Sequence, residues 1–341
     1  MAKRIGSYTI ITENKPSFAG YGSVAGKKEG QGRLGTEFDK VCKDIRFGEK
    51  SYEKAESRMQ KIALQEAMKK ADVNENDINV ILAGDLLNQC IGSSFGMRGS
   101  GIPLIGIYGA CSTMALGIAV AALLTDSGAA DTAAAVTSSH FCSAERQYRF
   151  PLEYGSQRTP TAQWTVTASG ASVIKRGSGE KPYVAAVTFG KIEDLGIKDA
   201  NNMGAAMAPS AYSTFKAYFK DTGTTPEDYD VIFTGDLGKV GSELLYMLAE
   251  KDGYDLRCRH NDCGLMIFDL DKQDVHAGGS GCGCSAAVLN SFIMHRFEDG
   301  SFKNVLFMST GALLSPTSTL QGESIPGISH LINIKVDKQK S

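Results

Sequence analysis

The chain has 341 residues, and its 36 Lys and Arg against 38 Asp and Glu give a formal charge of -2 at neutral pH. This near balance excludes a surface devoted mainly to nucleic-acid binding. With 42% hydrophobic and 22% charged residues, the composition also excludes a disordered, collagen-like or coiled-coil chain. The length predicts about two structural units that each bury a core.

The eight cysteines are spread along the whole chain, and the N-terminal residues lack a secretory hydrophobic segment. Scattered cysteines of this kind predict a reducing, cytoplasmic compartment. We expect no signal peptide, no transmembrane segment and no lipid anchor.

In chain order, the first strong pattern is a helix at Tyr52–Ala71, which has apolar residues at helical spacing. An acidic turn and a strand-like segment, residues 77–86, follow it. A second helical stretch at 209–220 precedes a second such segment, residues 228–237. The two segments are identical at six of ten positions, so we interpret the chain as a duplicated unit.

Residues 102–124 are the one segment with the length and composition of a membrane span, because they carry no charge. We interpret them instead as a strand at 104–108, a tight turn, and a buried helix of small residues from about Ser112. The next strand is predicted at 132–137. A membrane span is the less favoured alternative.

The same order follows the second copy: a glycine-rich segment at 278–285, a helix at 286–296 and a strand at 305–308. Strands that are apolar on both faces and alternate with helices indicate largely parallel, buried sheets. We therefore predict an α/β protein with two pseudo-symmetric halves, 1–175 and 176–341, and central helices between two sheets in αβαβα layers. The functional cleft is expected where the strand ends of both halves converge.

Cys111 lies between the strand at 104–108 and the helix that follows, in the sequence Tyr-Gly-Ala-Cys-Ser-Thr. A thiol at a helix N-terminus has its thiolate favoured by the helix dipole and by free N–H groups. Cys111 is therefore a candidate nucleophile. The alternative is an inert, buried cysteine at a tight turn.

The duplicated order of helix, acidic turn, Asp-x-x-Val-Ile strand and Gly-Ala-Cys-Ser turn resembles the thiolase superfamily, which includes thiolases and ketoacyl synthases. The resemblance covers most of residues 50–340. It implies the thiolase-like αβαβα fold and a homodimer formed through the strand at 104–108. It also implies that Cys111 stands where the superfamily has a nucleophile that is acylated from a CoA or carrier-protein thioester.

The sequence departs from the superfamily where the partners of the nucleophile are expected. After the strand at 231–234, the catalytic His is replaced by Gly235 and Asp236, and only His260 and His276 remain as shifted candidates. Losing such groups costs a condensing enzyme about 10² to 10⁴-fold in rate for each one. An active acyltransferase that uses Cys111 is therefore the alternative rather than the main hypothesis.

The superfamily's Asn or Gly-His motif is replaced by the run Ala-Gly-Gly-Ser-Gly-Cys-Gly-Cys, which contains Gly279, Cys282 and Cys284. Small residues that alternate with glycine allow a ligand to approach the backbone closely. Gly279 and Cys284 are therefore candidate ligand contacts.

Residues 138–164 interleave polar, aromatic and basic side chains. Such a segment over a cleft suits recognition of a planar anion by arginine forks and aromatic faces. The candidate ligand-binding residues in it are Ser139, His140, Arg146, Arg149, Arg158 and Gln163. The alternative for the arginines is an ordinary solvated or dimer-contact role.

This segment, together with residues 83–96 and 277–286, resembles a family of bacterial sporulation proteins within the same superfamily. The resemblance implies binding of dipicolinic acid, or its calcium chelate, beside membrane-channel partners at the spore inner membrane of the forespore. In this hypothesis the former thioester cleft holds a dicarboxylate. An adaptor that binds membrane partners and no small molecule is a further alternative.

Asp85 and Asp236 occupy equivalent places in the two copies, where a carboxylate can orient a ligand, bind a metal or cap a helix. We favour capping. The set Cys258, His260 and Cys263 lacks the paired spacing of zinc sites, and Cys263 introduces a predicted buried strand. With no P-loop, dinucleotide fingerprint or HExxH motif, we predict neither metal nor cofactor.

Overall fold

The computed structural model describes residues 2–148 and 158–337, which form a mixed α/β structure. Its strands, in chain order, are β1 (Lys3–Ile5), β2 (Thr9–Ile11), β3 (Pro16–Ala25), β4 (Lys40–Val41), β5 (Val80–Gly84), β6 (Leu104–Gly106), β7 (Thr132–Ser139), β8 (Trp164–Thr165), β9 (Ala168–Arg176), β10 (Tyr183–Thr188), β11 (Val231–Thr234), β12 (His260–Asp262), β13 (Gly279–Ser280), β14 (Asn304–Ala312) and β15 (Gly327–Lys335). Its α-helices are α1 (Lys27–Gly30), α2 (Tyr52–Ala71), α3 (Ile91–Met97), α4 (Thr113–Ser127), α5 (Phe141–Tyr148), α6 (Met203–Thr222), α7 (Gly238–Glu250), α8 (Cys263–Met266), α9 (Cys282–Val288), α10 (Met294–Glu298) and α11 (Pro316–Leu320).

The sheet topology repeats between the two halves. The first half has the order β6-β5-β7-β9-β3, and the second has β12-β11-β14-β15-β10. When the five strands of each half are numbered along the chain, both halves have the order 3-2-4-5-1. In each half the fifth strand, β9 or β15, is antiparallel to its neighbours. The predicted duplication is therefore confirmed by the topology.

The two halves meet at their first strands, where β3 pairs with β10 at Ser17 and Tyr183. The N-terminal strand β2 pairs with β10, so residues 9–11 extend the sheet of the second half. The division into 1–175 and 176–341 stays a prediction.

Two central helices lie between the sheets. Helix α4 packs against strands of both halves, and α9 packs against β7, β9 and α4. Helix α2 covers the outer face of the first sheet, while α6 covers that of the second together with α7. The predicted αβαβα layering is confirmed.

The apolar segment is a strand followed by a core helix, as predicted. Within the described residues, one 18-residue window, Ala110–Ser127, is apolar enough to cross a membrane, and 72% of it is buried. Alanines such as Ala115, Ala119 and Ala122 let α4 lie close to both sheets. Burial between the two layers therefore accounts for its hydrophobicity.

Two helix boundaries differ from the predicted ones. Helix α6 begins at Met203 rather than at 209, because the Asn202 side chain caps it by accepting a hydrogen bond from Ala205 N (3.3 Å). Pro209 therefore lies inside the helix. Helix α9 begins at Cys282 rather than at 286, after Gly281 adopts a φ of 106°. A π-helical turn, Leu289–Ile293, joins α9 to α10.

The predicted strand after Cys263 is wrong, since Cys263–Met266 form the short helix α8. Ile267 and Phe268 are fully buried. A short apolar run indicates burial, but it does not distinguish a strand from a helix.

Candidate functional site

Cys111 lies in the tight turn before α4 and is 6% exposed. The preceding residue, Ala110, has a φ of 48°, which is unusual for a residue with a side chain. Thr113 Oγ1 donates to Ala110 O at 2.6 Å, and Ser112 Oγ donates to Gly109 O at 2.6 Å. These local hydrogen bonds fix the strained turn that carries the thiol.

A narrow cavity of about 40 Å³ adjoins Cys111 and is lined by both halves. Its described lining residues are Leu86, Tyr108, Ala110, Cys111, Ala144, Glu145, Tyr148, Thr165, Met203, Ser280, Gly281, Ala312 and Leu314. Thr165 and Ser280 are paired residues of the two-stranded sheet β8–β13. No Lys, Arg or His occurs among these lining residues. Those that can ionise are acids: the carboxyl group of Glu145, and the weaker acids Cys111, Tyr108 and Tyr148.

Asp236 lies fully buried beside the cavity. Its Oδ1 accepts from Thr310 Oγ1 at 2.7 Å, and its Oδ2 accepts from Ser280 Oγ and Gly281 N, each at 2.8 Å. Burial raises the pKa of Asp236. Burial, and then the Asp236 carboxylate, raise the pKa of the Cys111 thiol well above its ordinary value. The site therefore favours the thiol over the thiolate.

All five histidines lie within the described residues, and none lines the cavity. His260 contacts Thr234 Oγ1 at 2.8 Å and Tyr246 OH at 2.7 Å, and burial lowers its pKa to about 3. His276 contacts Thr159 O and Asp274 instead. The alternative that either of them serves Cys111 as a shifted partner is not supported by these contacts.

Three of the predicted site residues, Gln163, Gly279 and Ser139, form hydrogen bonds next to the cavity but do not line it. Gln163 Nε2 donates to Asp236 O at 2.6 Å and to Gly279 O at 2.8 Å. Ser139 Oγ accepts from Gly283 N at 3.0 Å and so holds the start of α9. These residues fix the backbone around the site without lining the cavity.

Asp85 bonds the loop after β5 and the first turn of α3. Its carboxylate accepts from Leu87 N at 2.9 Å and from Ser93 N and Oγ at 2.7 and 2.6 Å. The neighbouring Glu56 accepts from Ser138 Oγ at 3.0 Å and Ser143 Oγ at 2.7 Å. Asp85 therefore holds the loop that carries Leu86 into the cavity, while Glu56 joins the end of β7 to α5.

The basic candidates lie elsewhere among the described residues. Arg146 pairs with Glu53. Arg158 packs over the Trp164 ring at 4.5 Å and pairs with Asp274 at 3.2 Å. Neither lines the Cys111 cavity, and Arg149 lies outside the described residues.

The remaining candidate, His140, contacts Ile45 O at 2.7 Å and Tyr52, away from the cavity lining. Cys284 lies in the main core, whereas Cys282 clusters with Cys111 and donates to Ala110 O at 3.2 Å. The sequence therefore indicated the right segment, but the thiol that lies near Cys111 is that of Cys282, two residues before the predicted Cys284.

Several cavity residues were missed by the sequence prediction. Ala144 and Tyr148 are one turn apart on α5, a spacing that places them on one helix face and was the available signal. Tyr148 OH donates to Leu86 O and contacts Tyr108 OH at 3.2 Å. Thr165 gave no such signal, because its place depends on pairing with a distant strand.

Within residues 2–148 and 158–337, no group of three or more His, Cys, Asp or Glu side chains is arranged to hold a metal ion. A larger open hollow of about 880 Å³ lies between β3, the β9–β10 connection and α10. Tyr21, Lys70, Phe297 and Lys303 are among its lining residues. Its wall has mixed charge and contains no cysteine or histidine, so the cavity beside Cys111 is the better candidate site.

Comparison with known proteins gives consistent matches over most of the chain. The family described as Stage V sporulation protein AD matches residues 6–335. Stage V sporulation protein AD of Bacillus subtilis (strain 168) is 45% identical over 328 residues, which cover 96% of each chain.

Solved structures with low identity share the fold. 3-Oxoacyl-[acyl-carrier-protein] synthase III from Aquifex aeolicus VF5 is 12% identical, with a TM-score of 0.55 over 94% of this chain and 99% of its own. A variant of Xanthomonas campestris OleA crystallised with cerulenin is 14% identical, with a TM-score of 0.59 over 95% and 97%. The predicted thiolase-like fold is confirmed.

Proposed function

The chain belongs to the Stage V sporulation protein AD family, and we propose that it binds dipicolinic acid, free or as its calcium chelate, beside Cys111. One observation carries the proposal: a cavity adjoins the cysteine, but no histidine lines this cavity. Leu86, Ala312 and Leu314 provide apolar walls for a pyridine ring. Thr165 and Ser280 donate their hydroxyl protons to Glu145 and Asp236, so the lone pairs of these hydroxyl oxygens suit the calcium of the chelate.

The charge behind the cavity favours the chelate over the free dianion. Asp236 lies fully buried directly behind Ser280. A dianion next to this carboxylate is repelled, whereas calcium neutralises the dicarboxylate. Calcium takes six to eight oxygen ligands, so a bound chelate retains positions for protein oxygens.

A ligand of this size requires the cavity to widen, because about 40 Å³ holds only a few water molecules. Tyr108 forms part of the wall and is 46% exposed, so its side chain has room to rotate outward. Its hydrogen bond with Tyr148 must break in that movement.

Calorimetric titration with pyridine-2,6-dicarboxylate, with and without calcium, tests the proposal, and benzoate serves as the mono-anionic control. Ala144→Val adds two methyl groups to the cavity and is expected to weaken binding about 10 to 100-fold, since overpacking costs about 1–3 kcal/mol. Ala217→Val, on α6 and outside this cavity, is the matched control. Unchanged affinity in Ala144→Val would place the ligand elsewhere, and no saturable heat in the native chain would remove the proposal.

The active acyltransferase is tested separately. After incubation with acyl-CoA, intact-protein mass spectrometry is expected to show no acyl adduct on Cys111, because its thiol is buried and has a raised pKa. An adduct that forms on Cys111 and turns over would instead establish the acyltransferase.

We also propose a homodimer and a peripheral position at the spore inner membrane through channel partners. Strand β6 is the last in its sheet, and Leu104 and Ile105 are exposed beside Ile91 and Phe95 of α3. An exposed apolar edge strand of this kind favours pairing with a second copy. Sedimentation velocity tests the dimer, and a monomer at micromolar concentration would contradict it.

A further inference from the structure

We propose that Asp236 is a positioning residue that keeps Cys111 as a neutral thiol and so makes this cavity a binding site rather than an acyl-transfer site. The inference concerns the chemistry of Cys111 itself. It does not depend on which ligand the cavity takes.

The hydrogen bonds around Asp236 fit an ionised carboxylate. Thr310 Oγ1 accepts from Asp236 N at 3.3 Å, so its own proton is available to Oδ1 at 2.7 Å. Gly281 N donates to Oδ2 at 2.8 Å. A backbone N–H can donate but not accept, so this bond, together with the two hydroxyl groups, stabilises the charged form against the cost of burial.

Ser280 connects this carboxylate to the thiol. Its Oγ lies 2.8 Å from Asp236 Oδ2 and 4.0 Å from Cys111 Sγ. A serine hydroxyl has one proton, so while Ser280 donates to Asp236 it presents only lone pairs to Cys111. A thiol proton finds an acceptor there, whereas a thiolate faces lone pairs and a nearby negative charge in a dry environment.

The other ionisable groups that face Cys111 within the described residues do not reverse this preference. They come from α9, α5 and the turn before α4, and they are Cys282, Cys284, Tyr108, Tyr148 and Glu145. All become more negative on deprotonation, so none attracts a thiolate. The N-terminus of α4 favours the thiolate by at most about 2 kcal/mol, the upper value for a buried group at a helix end.

The test is alkylation of Cys111 by iodoacetamide over a pH series in the unliganded full chain, read out by peptide mass spectrometry. Cys258 is exposed and provides an internal reference in the same molecule. Asp236→Asn is expected to raise the rate at Cys111 relative to Cys258 by about tenfold or more at neutral pH, since one pKa unit is a factor of ten. The midpoint of the Cys111 profile should move to lower pH.

An unchanged ratio would mean that Asp236 is merely structural, and a lower ratio would mean that it acts as a base toward the thiol. Either result overturns the proposal. If Asp236→Asn fails to fold, the ultraviolet absorbance of thiolate, compared between the native chain and Cys111→Ser, provides a second measurement. We expect no Cys111 thiolate near neutral pH, and its detection there would overturn the proposal.

Discussion

Replacing Gly311 with alanine is expected to lower the free energy of unfolding by about 3 kcal/mol, at the upper end of overpacking costs. A Cβ at Gly311 would lie 2.5 Å from Gly109 O, 3.1 Å from Ser112 N and 3.3 Å from Cys111 N. All three atoms belong to the backbone of the cysteine turn, which cannot move like a flexible side chain. The same change should displace the turn and abolish ligand binding.

Urea unfolding, followed by circular dichroism, measures this effect. Gly106→Ala is the matched control, because Gly106 is also a strand glycine but has nothing within 4 Å of the position that a Cβ would take. Its free energy of unfolding should change by no more than about 1 kcal/mol. Similar stabilities for the two variants would contradict the close contact between the two halves at Cys111.

Glu56→Gln is expected to raise the free energy of unfolding at neutral pH by about 1–3 kcal/mol, because the amide removes the titration but accepts one hydrogen bond fewer. Burial, and then the charge of Asp85, raise the pKa of Glu56 from 4.5 to about 8. The two carboxyl groups are close, since a Cβ on Gly92 would lie 3.2 Å from Asp85 Cγ and 3.4 Å from Glu56 Cδ. The native chain must therefore hold a proton that the unfolded chain releases.

The sign of the pH dependence follows from this raised pKa. Stability falls as pH rises from about 4.5 to about 8, because over this window the unfolded chain is stabilised by releasing the proton that the folded chain retains. Glutamine stays neutral, so the fall should be much reduced in Glu56→Gln. Glu66→Gln, on the same helix, is the control and should change stability by about 0.5 kcal/mol or less. If the free energy of unfolding of Glu56→Gln depended on pH as strongly as that of the native chain, the raised pKa of Glu56 would be contradicted.

The duplicated architecture was predictable because it depends on local patterns that recur. Helix α2 has the predicted bounds, Tyr52–Ala71, since Ser51 caps it and its apolar residues follow the helical period. The repeated Gly-Asp at the strand ends also located Asp85 and Asp236. The fold and the position of Cys111 followed from these features and from the superfamily resemblance.

The roles within the site were less predictable, because they depend on partners from distant segments. Asp85 and Asp236 share a motif, but Asp85 holds the loop at Ser93 while Asp236 reaches Ser280 and Thr310 of the second half. Thr165 lines the cavity only because β8 pairs with β13. The arginines in the sequence likewise did not indicate which way their side chains point, since Arg158 packs on Trp164 outside the described cavity lining.

A crystal structure with pyridine-2,6-dicarboxylate and calcium tests the central claim most directly. We expect ligand density between Cys111, Tyr148, Thr165 and Ser280, with Tyr108 rotated outward and no bond to the sulfur. Ligand in the larger hollow near Tyr21, or an empty cysteine cavity under saturating ligand, would contradict the account.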